Sequence, residues 1–391
     1  MRRLPIPMML LSLLLSTPVI SQETGDGDPV SIGTYRRLHS TVLREDRVLL
    51  VSLPEGYDKV SHSYPLLVVL YADQVRGYFA EAVHIVERLS GEGSIPAMIV
   101  VGVANVDRYR DLSPVGRRGT PSGIEPFSRF VVEELLPFVE SEYRTKEYRI
   151  LAGPQAGAEF GLYTLAKRPG VFGAFIIENP FRSDPVHDIL IAAVEEAFEE
   201  GISSPTFLQI TATDRAGFRD MTGALKQATD FQAMVDDRNP ANLTFVADFV
   251  EESEDFLPPL GLKEGLRALF DEYRFPEERE VRGLSDLVEY YAALSGRIGF
   301  EVGIPEMTLV SSALGLKEKG AIASAEEILT YLVGWNPASL DGYWQLANLY
   351  REQGRNDDAL AYYRKCVDLD PNMKPAIYWI EVMEGVEGGE E

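Results

Sequence analysis

The sequence predicts an α/β protein with a mostly parallel sheet, followed by a small all-α domain. Three observations carry this. Short continuous apolar runs recur between residues 32 and 276. Stretches with three- and four-residue apolar spacing alternate with them. Beyond residue 282 the strand-like runs stop, and two 34-residue segments can be laid over each other.

The elements follow in chain order. Residues 1–21 (MRRLPIPMMLLSLLLSTPVIS) start with Arg2 and Arg3, continue in a short apolar run and end in small residues, the three-part pattern of a signal peptide. The run is too short to span a bilayer, and no cysteine follows it, so a secreted or periplasmic protein with no lipid anchor is expected. The stretch 47–53 (RVLLVSL) alternates as a strand does. The runs 66–71, 97–103, 148–152, 174–177, 206–210 and 243–249 read as strands buried on both faces. Helical spacing is clearest over 125–141, where Phe127, Phe130, Val131, Leu135, Leu136 and Val139 share a face. Further helices are expected over 157–167, 186–199, 218–235 and 261–273.

The C-terminal part, 282–388, starts with a linker helix. In the segment 340–373, Tyr343, Leu346, Ala347, Tyr350, Gly354, Ala359, Tyr363 and Pro371 sit at the offsets of a tetratricopeptide repeat. In 306–339 the same offsets hold Leu309, Ser312, Ala313, Leu316, Gly320, Ala325, Leu329 and Pro337. So few repeats must bury their face on a neighbour, and packing against the α/β domain is expected. The usual use of such repeats makes a protein partner an expectation too.

Composition excludes several classes of function. Of 391 residues, 61 are acidic and 37 basic, a formal net charge of -24. Such a surface does not neutralise nucleic-acid phosphates and is repelled by anionic lipid. No membrane span is expected. One cysteine, Cys366, excludes an internal disulfide framework and a multi-cysteine zinc site. No metal or cofactor is implied. The four histidines are His39, His62, His84 and His187.

The segment YRILAGPQAGAEFGLYTLAK (148–167) places a strand, a Gly-x-x-x-Gly turn and a helix in succession. That is the frame of the nucleophile elbow G-x-S-x-G, whose glycines let helix and strand approach closely. Gly153 and Gly157 hold the glycine positions; Gln155 stands where serine is required. With LPEGYD (53–58), YPLLVVLYADQ (64–74), IPAMIVVGVANVDRYRDLSP (95–114), FVVEELLPFVESEYRTKEYRILAG (130–153) and GLRALF (265–270), the chain resembles the esterase D and enterochelin-esterase type of putative esterase. That resemblance covers nearly all of the mature chain. It implies an α/β-hydrolase fold over 32–276 and ester hydrolysis by a Ser–acid–His triad. Some such proteins carry a tetratricopeptide-like extension.

Carried over by position, the nucleophile falls on Gln155, the acid on Asp214 and the histidine near Glu254. An amide has no O–H or S–H to activate, and no histidine follows His187. The oxyanion hole uses backbone N–H groups and can outlast such changes; its donors are expected at Ala156 and at Ala72 or Asp73. A degenerate hydrolase that binds a ligand or protein partner is therefore expected, the alternative being an active ester or acyl hydrolase using other residues. The ligand would be a small ester or acyl compound in the old pocket. Gln155 either contacts that ligand or only fills the lost site. Asp214 and Glu254 read more simply as solvated loop acids than as a carboxylate pair. Arg108 and Arg110 either position a ligand or form a salt-bridged loop.

Overall fold

A computed structural model describes residues 31–72, 77–104, 107–116, 121–181, 184–215 and 223–385. The expected signal peptide and Asp73 lie outside the described residues. The strands are β1 (Thr34–Ser40), β2 (Glu45–Ser52), β3 (Tyr64–Leu70), β4 (Ile99–Val103), β5 (Thr145–Pro154), β6 (Ala174–Glu178), β7 (Thr206–Ala212) and β8 (Leu243–Phe249). They form one sheet in the order β1-β2-β4-β3-β5-β6-β7-β8. β1 pairs with β2, and β2 with β4, antiparallel; every pairing from β4 through β3 to β8 is parallel. This is the α/β-hydrolase arrangement.

The apolar runs become strands because successive side chains leave opposite faces of the sheet and both faces are covered. On one face, Val68, Leu151, Phe175 and Leu208 meet helices α3 (Ile124–Phe130), α4 (Leu136–Glu142), α5 (Ala156–Lys167), α6 (Asp184–Glu200) and α7 (Ala224–Arg238). On the other, Leu67, Val69, Ile150 and Ile176 meet α1 (Tyr78–Gly91) and α8 (Leu257–Leu269). Between β4 and α3 lies a four-residue turn of helix, α2 (Arg108–Asp111).

Several elements differ from expectation. β8 is the sheet edge and is only half-buried, so its apolar run does not mean burial on both faces. β1, mostly exposed, forms the other edge and has no apolar run to announce it. The long helix expected over 125–141 is interrupted by one π turn at 131–135. α8 starts four residues earlier than its apolar spacing, with prolines in its first turn, where no intrahelical N–H is needed.

The chain then continues only in helices: α9 (Leu284–Ile298), α10 (Glu306–Glu318), α11 (Ile322–Trp335), α12 (Leu340–Glu352), α13 (Asn356–Leu369) and α14 (Lys374–Glu384). α10 and α12 start at 306 and 340, α11 and α13 at 322 and 356, the same 34-residue step. The hydrophobic core of α1 and α8 runs without a break through Leu287 and Tyr291 of α9 to Leu309, Ile328, Leu346 and Tyr363. Tyr148 of β5 stacks on Phe300 at 4.5 Å, and His62 lies tilted against Trp335 with ring centroids 4.5 Å apart. The helical part is thus built onto one face of the α/β domain.

Candidate functional site

The site lies at the C-terminal ends of the parallel strands, where ligands bind in open α/β sheets. β5 ends in Gly153-Pro154, and Gln155 turns the chain into α5 with φ 52° and ψ −112°. The packing is tight on either side: a Cβ on Gly153 would lie 3.1 Å from Gly157 Cα, and one on Gly157 3.3 Å from Leu70 Cβ, so the neighbours would have to give way by a few tenths of an ångström. The turn is a nucleophile elbow in its backbone, with an amide at its tip.

The loops after the strands are tied to each other. Gln155 N donates to Glu178 O at 2.8 Å, and Asn179 N to Thr211 O at 3.0 Å. Thr213 N donates to Asn179 Oδ1 at 3.0 Å, and Thr213 Oγ1 to Glu252 O at 2.8 Å. Glu254 N donates to Arg215 O at 3.2 Å. This ladder carries Glu254 to the elbow, where its carboxylate accepts a hydrogen bond from Gln155 Nε2. The nucleophile and histidine positions of the resemblance are therefore side by side in space.

A cleft of about 170 Å³ opens there, lined by Tyr71, Arg108, Gln155, Glu178, Asn179 and Glu254 among others. Glu178 is fully buried, and neither carboxyl oxygen has a hydrogen-bond partner among the described residues. Burial pushes its pKa well above the ordinary carboxyl range. The phenol of Tyr78, also buried, is pushed up by burial and then by Glu178. Tyr71 directly follows β3 with φ 68°. The Arg108 guanidinium lies 5.3 Å from the Tyr71 ring centroid and donates to Tyr109 Oη at 3.2 Å.

The other expected residues separate. Arg110 faces away from the cleft lining: it pairs with Glu45 at 2.7 Å and with Asp111 at 2.7 Å. The same two acids hold the fully buried Arg47, so Arg110 belongs to a network that fixes the loop. Asp214 follows β7 but is exposed and does not line the cleft. Glu254 is half-buried and engaged by Gln155 rather than solvated. Ala156 is the first residue of α5 and Ala72 follows Tyr71; both are buried. His187 lies in the first turn of α6, edge-on to Phe181 at 4.9 Å. Among the described residues, no group of three or more His, Cys, Asp or Glu could hold a metal ion. No helix of the described residues is long and apolar enough to cross a membrane.

Sequence reasoning passed over Glu178, Asn179 and Tyr71. The signal for Glu178 was present: an acid directly after the apolar run AFII, at the C-terminal end of a parallel strand, followed by Asn-Pro.

Strand order and elbow define an α/β-hydrolase fold. Residues 40–205 match the model of the putative esterase family, and 340–373 that of the tetratricopeptide repeat. The chain is 31% identical over 155 residues to the uncharacterized protein YjcH of Bacillus subtilis, covering 37% of this chain and 60% of that one. It is also 31% identical over 137 residues to the ferri-bacillibactin esterase BesA of the same organism, covering 30% of this chain and 47% of that protein. The chain thus spans about half the length of these relatives. An IroE-like serine hydrolase from Shewanella oneidensis has the same fold, with a TM-score of 0.66 and 23% identity, over 78% of this chain and 99% of that one.

Proposed function

We propose that this is a secreted member of the esterase family that has lost ester hydrolysis and uses the cleft above the elbow to bind a small ligand. The observation that supports this most directly is the Gln155–Glu254 hydrogen bond. An amide and a carboxylate occupy the places of nucleophile and base, and each engages the other. Neither group can form an acyl intermediate and then resolve it as the Ser–His pair does. The elbow backbone persists around them, which suits a site kept for recognition rather than turnover. The repeats at 306–339 and 340–373 would present a surface to a protein partner.

The test is hydrolysis of p-nitrophenyl acetate and butyrate by the mature chain, by Gln155→Ala and by the double variant Gln155→Ser with Glu254→His. Inert wild type with turnover regained in the double variant is the expected result. Wild-type turnover that Gln155→Ala abolishes would overturn the reading. Turnover that Gln155→Ala leaves intact would overturn it too and move the chemistry to other residues.

A further inference from the structure

Beneath α8 the sheet carries a cluster of buried polar side chains. Glu178 ends β6 between Pro154 of β5 and Thr211 of β7. It is fully buried, and both carboxyl oxygens lack a hydrogen-bond partner among the described residues. The buried Tyr78 Oη of α1 and Gln209 Oε1 of β7 lack one too. Helix α8 covers this cluster with glycines. A Cβ on Gly261 would fall 2.6 Å from Glu178 Cγ, and one on Gly265 would stand against Gln209 Oε1. Buried polar groups without a partner cost free energy that hydration returns once they are uncovered. The seat of α8 on the sheet is therefore opposed from below.

The start of α8 is weakly tied as well. Pro258 and Pro259 in its first turn have no N–H to give, and Leu260 N reaches Phe256 O only at 3.4 Å. Phe256, at the N-cap, is 65% exposed. The same segment forms a wall of the cleft through Glu254, Leu257 and Pro258.

We propose that residues 254–262 are a gate on the cleft, shut while Glu178 is neutral and swung away from the sheet when Glu178 ionises. The Gln155–Glu254 hydrogen bond is its latch. Burial pushes the Glu178 carboxyl up, so the shut form keeps a proton that the hydrated, open form releases. The groups around Glu178 supply no counter-charge. From α1 it faces Tyr78, whose phenol burial and Glu178 push up, and Glu81 lies further along that helix. On β7, Gln209 is tied to Thr211 and to Asp248 at 2.9 Å. On α8, Gly261 covers the carboxyl, and Lys263 is paired with Glu264 at 2.8 Å. Arg108 lines the same cleft but is no hydrogen-bond partner of either Glu178 oxygen. The motion belongs to the wall of the cleft and does not depend on what the cleft binds or on ester turnover.

The experiment is amide hydrogen exchange of the full mature chain across the mildly acid to mildly alkaline range, with each rate corrected for the intrinsic effect of pH on exchange. The amides of Leu260, Gly261, Leu262 and Lys263 should exchange at least about tenfold faster than those of β3 and β5, through a local opening. That opening should grow by about tenfold per pH unit, because one proton leaves with it. In Glu178→Gln, which cannot ionise, the growth with pH should vanish. Exchange of these amides only in step with β3 and β5, a local opening indifferent to pH, or an undiminished pH response in Glu178→Gln would each overturn the proposal. If the variant fails to fold, the wild-type series alone decides, since an opening that is global or indifferent to pH refutes the gate. Ester turnover would refute the reading of the cleft as a binding site and leave this inference standing.

Discussion

Gln155 and Glu254 are 99 residues apart in the chain, and the side-chain amide of one donates to the carboxylate of the other at the tip of the elbow. The contact depends on two loops, one shaped by the strand-to-helix turn and one held by the hydrogen bond from Glu254 N to Arg215 O.

The turn at Gln155 stores strain. Its φ of 52° lies where only glycine is at ease, and such positions cost about 1–3 kcal/mol. Gln155→Gly and Gln155→Ala both lose the bond to Glu254, so their difference isolates the backbone. Gly should be more stable than Ala by about 1–2 kcal/mol, the reverse of the usual order. Urea unfolding of the two variants measures it; an alanine variant as stable as the glycine one would show the turn to be relaxed.

Glu178 makes stability depend on pH. Its pKa is raised by burial in the folded state, so between the ordinary carboxyl range and that raised value the native state binds more protons than the unfolded one. Stability from this group is present at acid pH and falls as pH rises through that window. Glu178→Gln removes the slope. Its melting temperature should gain on wild type as pH rises from 5 toward 8, and a constant difference would show that Glu178 is not held neutral.

Close approach of α8 to the sheet needs Gly265. A Cβ there would stand 2.6 Å from Ile176 Cγ2 and also against Gln209 Oε1. Gly265→Ala should cost about 1–3 kcal/mol through overpacking. A chemically measured loss below a few tenths of that would mean α8 can shift away from β6.

The helices and the α/β domain share one core, so they should unfold together. All three tryptophans, Trp335, Trp344 and Trp379, lie in the helical part, so indole fluorescence reports on that part alone. Its denaturant midpoint should coincide with loss of amide protection in β3 and β5. Phe300→Ala, which removes the ring stacked on Tyr148, should lower both midpoints by about 1–3 kcal/mol equivalent. A shift in the fluorescence transition alone would show two independent units.

Much of this architecture is legible in the sequence, and the exceptions have physical causes. Central strands announce themselves because both faces are buried, which makes runs such as LLVVL and IVVGV. The edge strands do not: β1 reads TYRRLHS because most of it faces water, and β8 looks central from its apolar run yet is only half-buried at the sheet edge. The elbow was readable from Gly153 and Gly157, since their spacing reflects a contact within one short segment. The cleft was less so. Glu178, Tyr71 and Arg108 come from three strand ends, and only the strand order brings them together. Arg108 and Arg110 look equivalent in sequence, yet one faces the cleft and the other is committed to Glu45 and Asp111.

The uninterrupted core from Leu67 and Ile150 to Leu346 and Tyr363 sets what the chain can afford to lose. A chain ending after α8 would leave the outward faces of α1 and α8 bare to water. Helices cut away from the sheet would in turn lack the floor under Leu287 and Tyr291. The α/β half is therefore indispensable as a foundation whether or not it turns over an ester, and its residues stay under selection for packing.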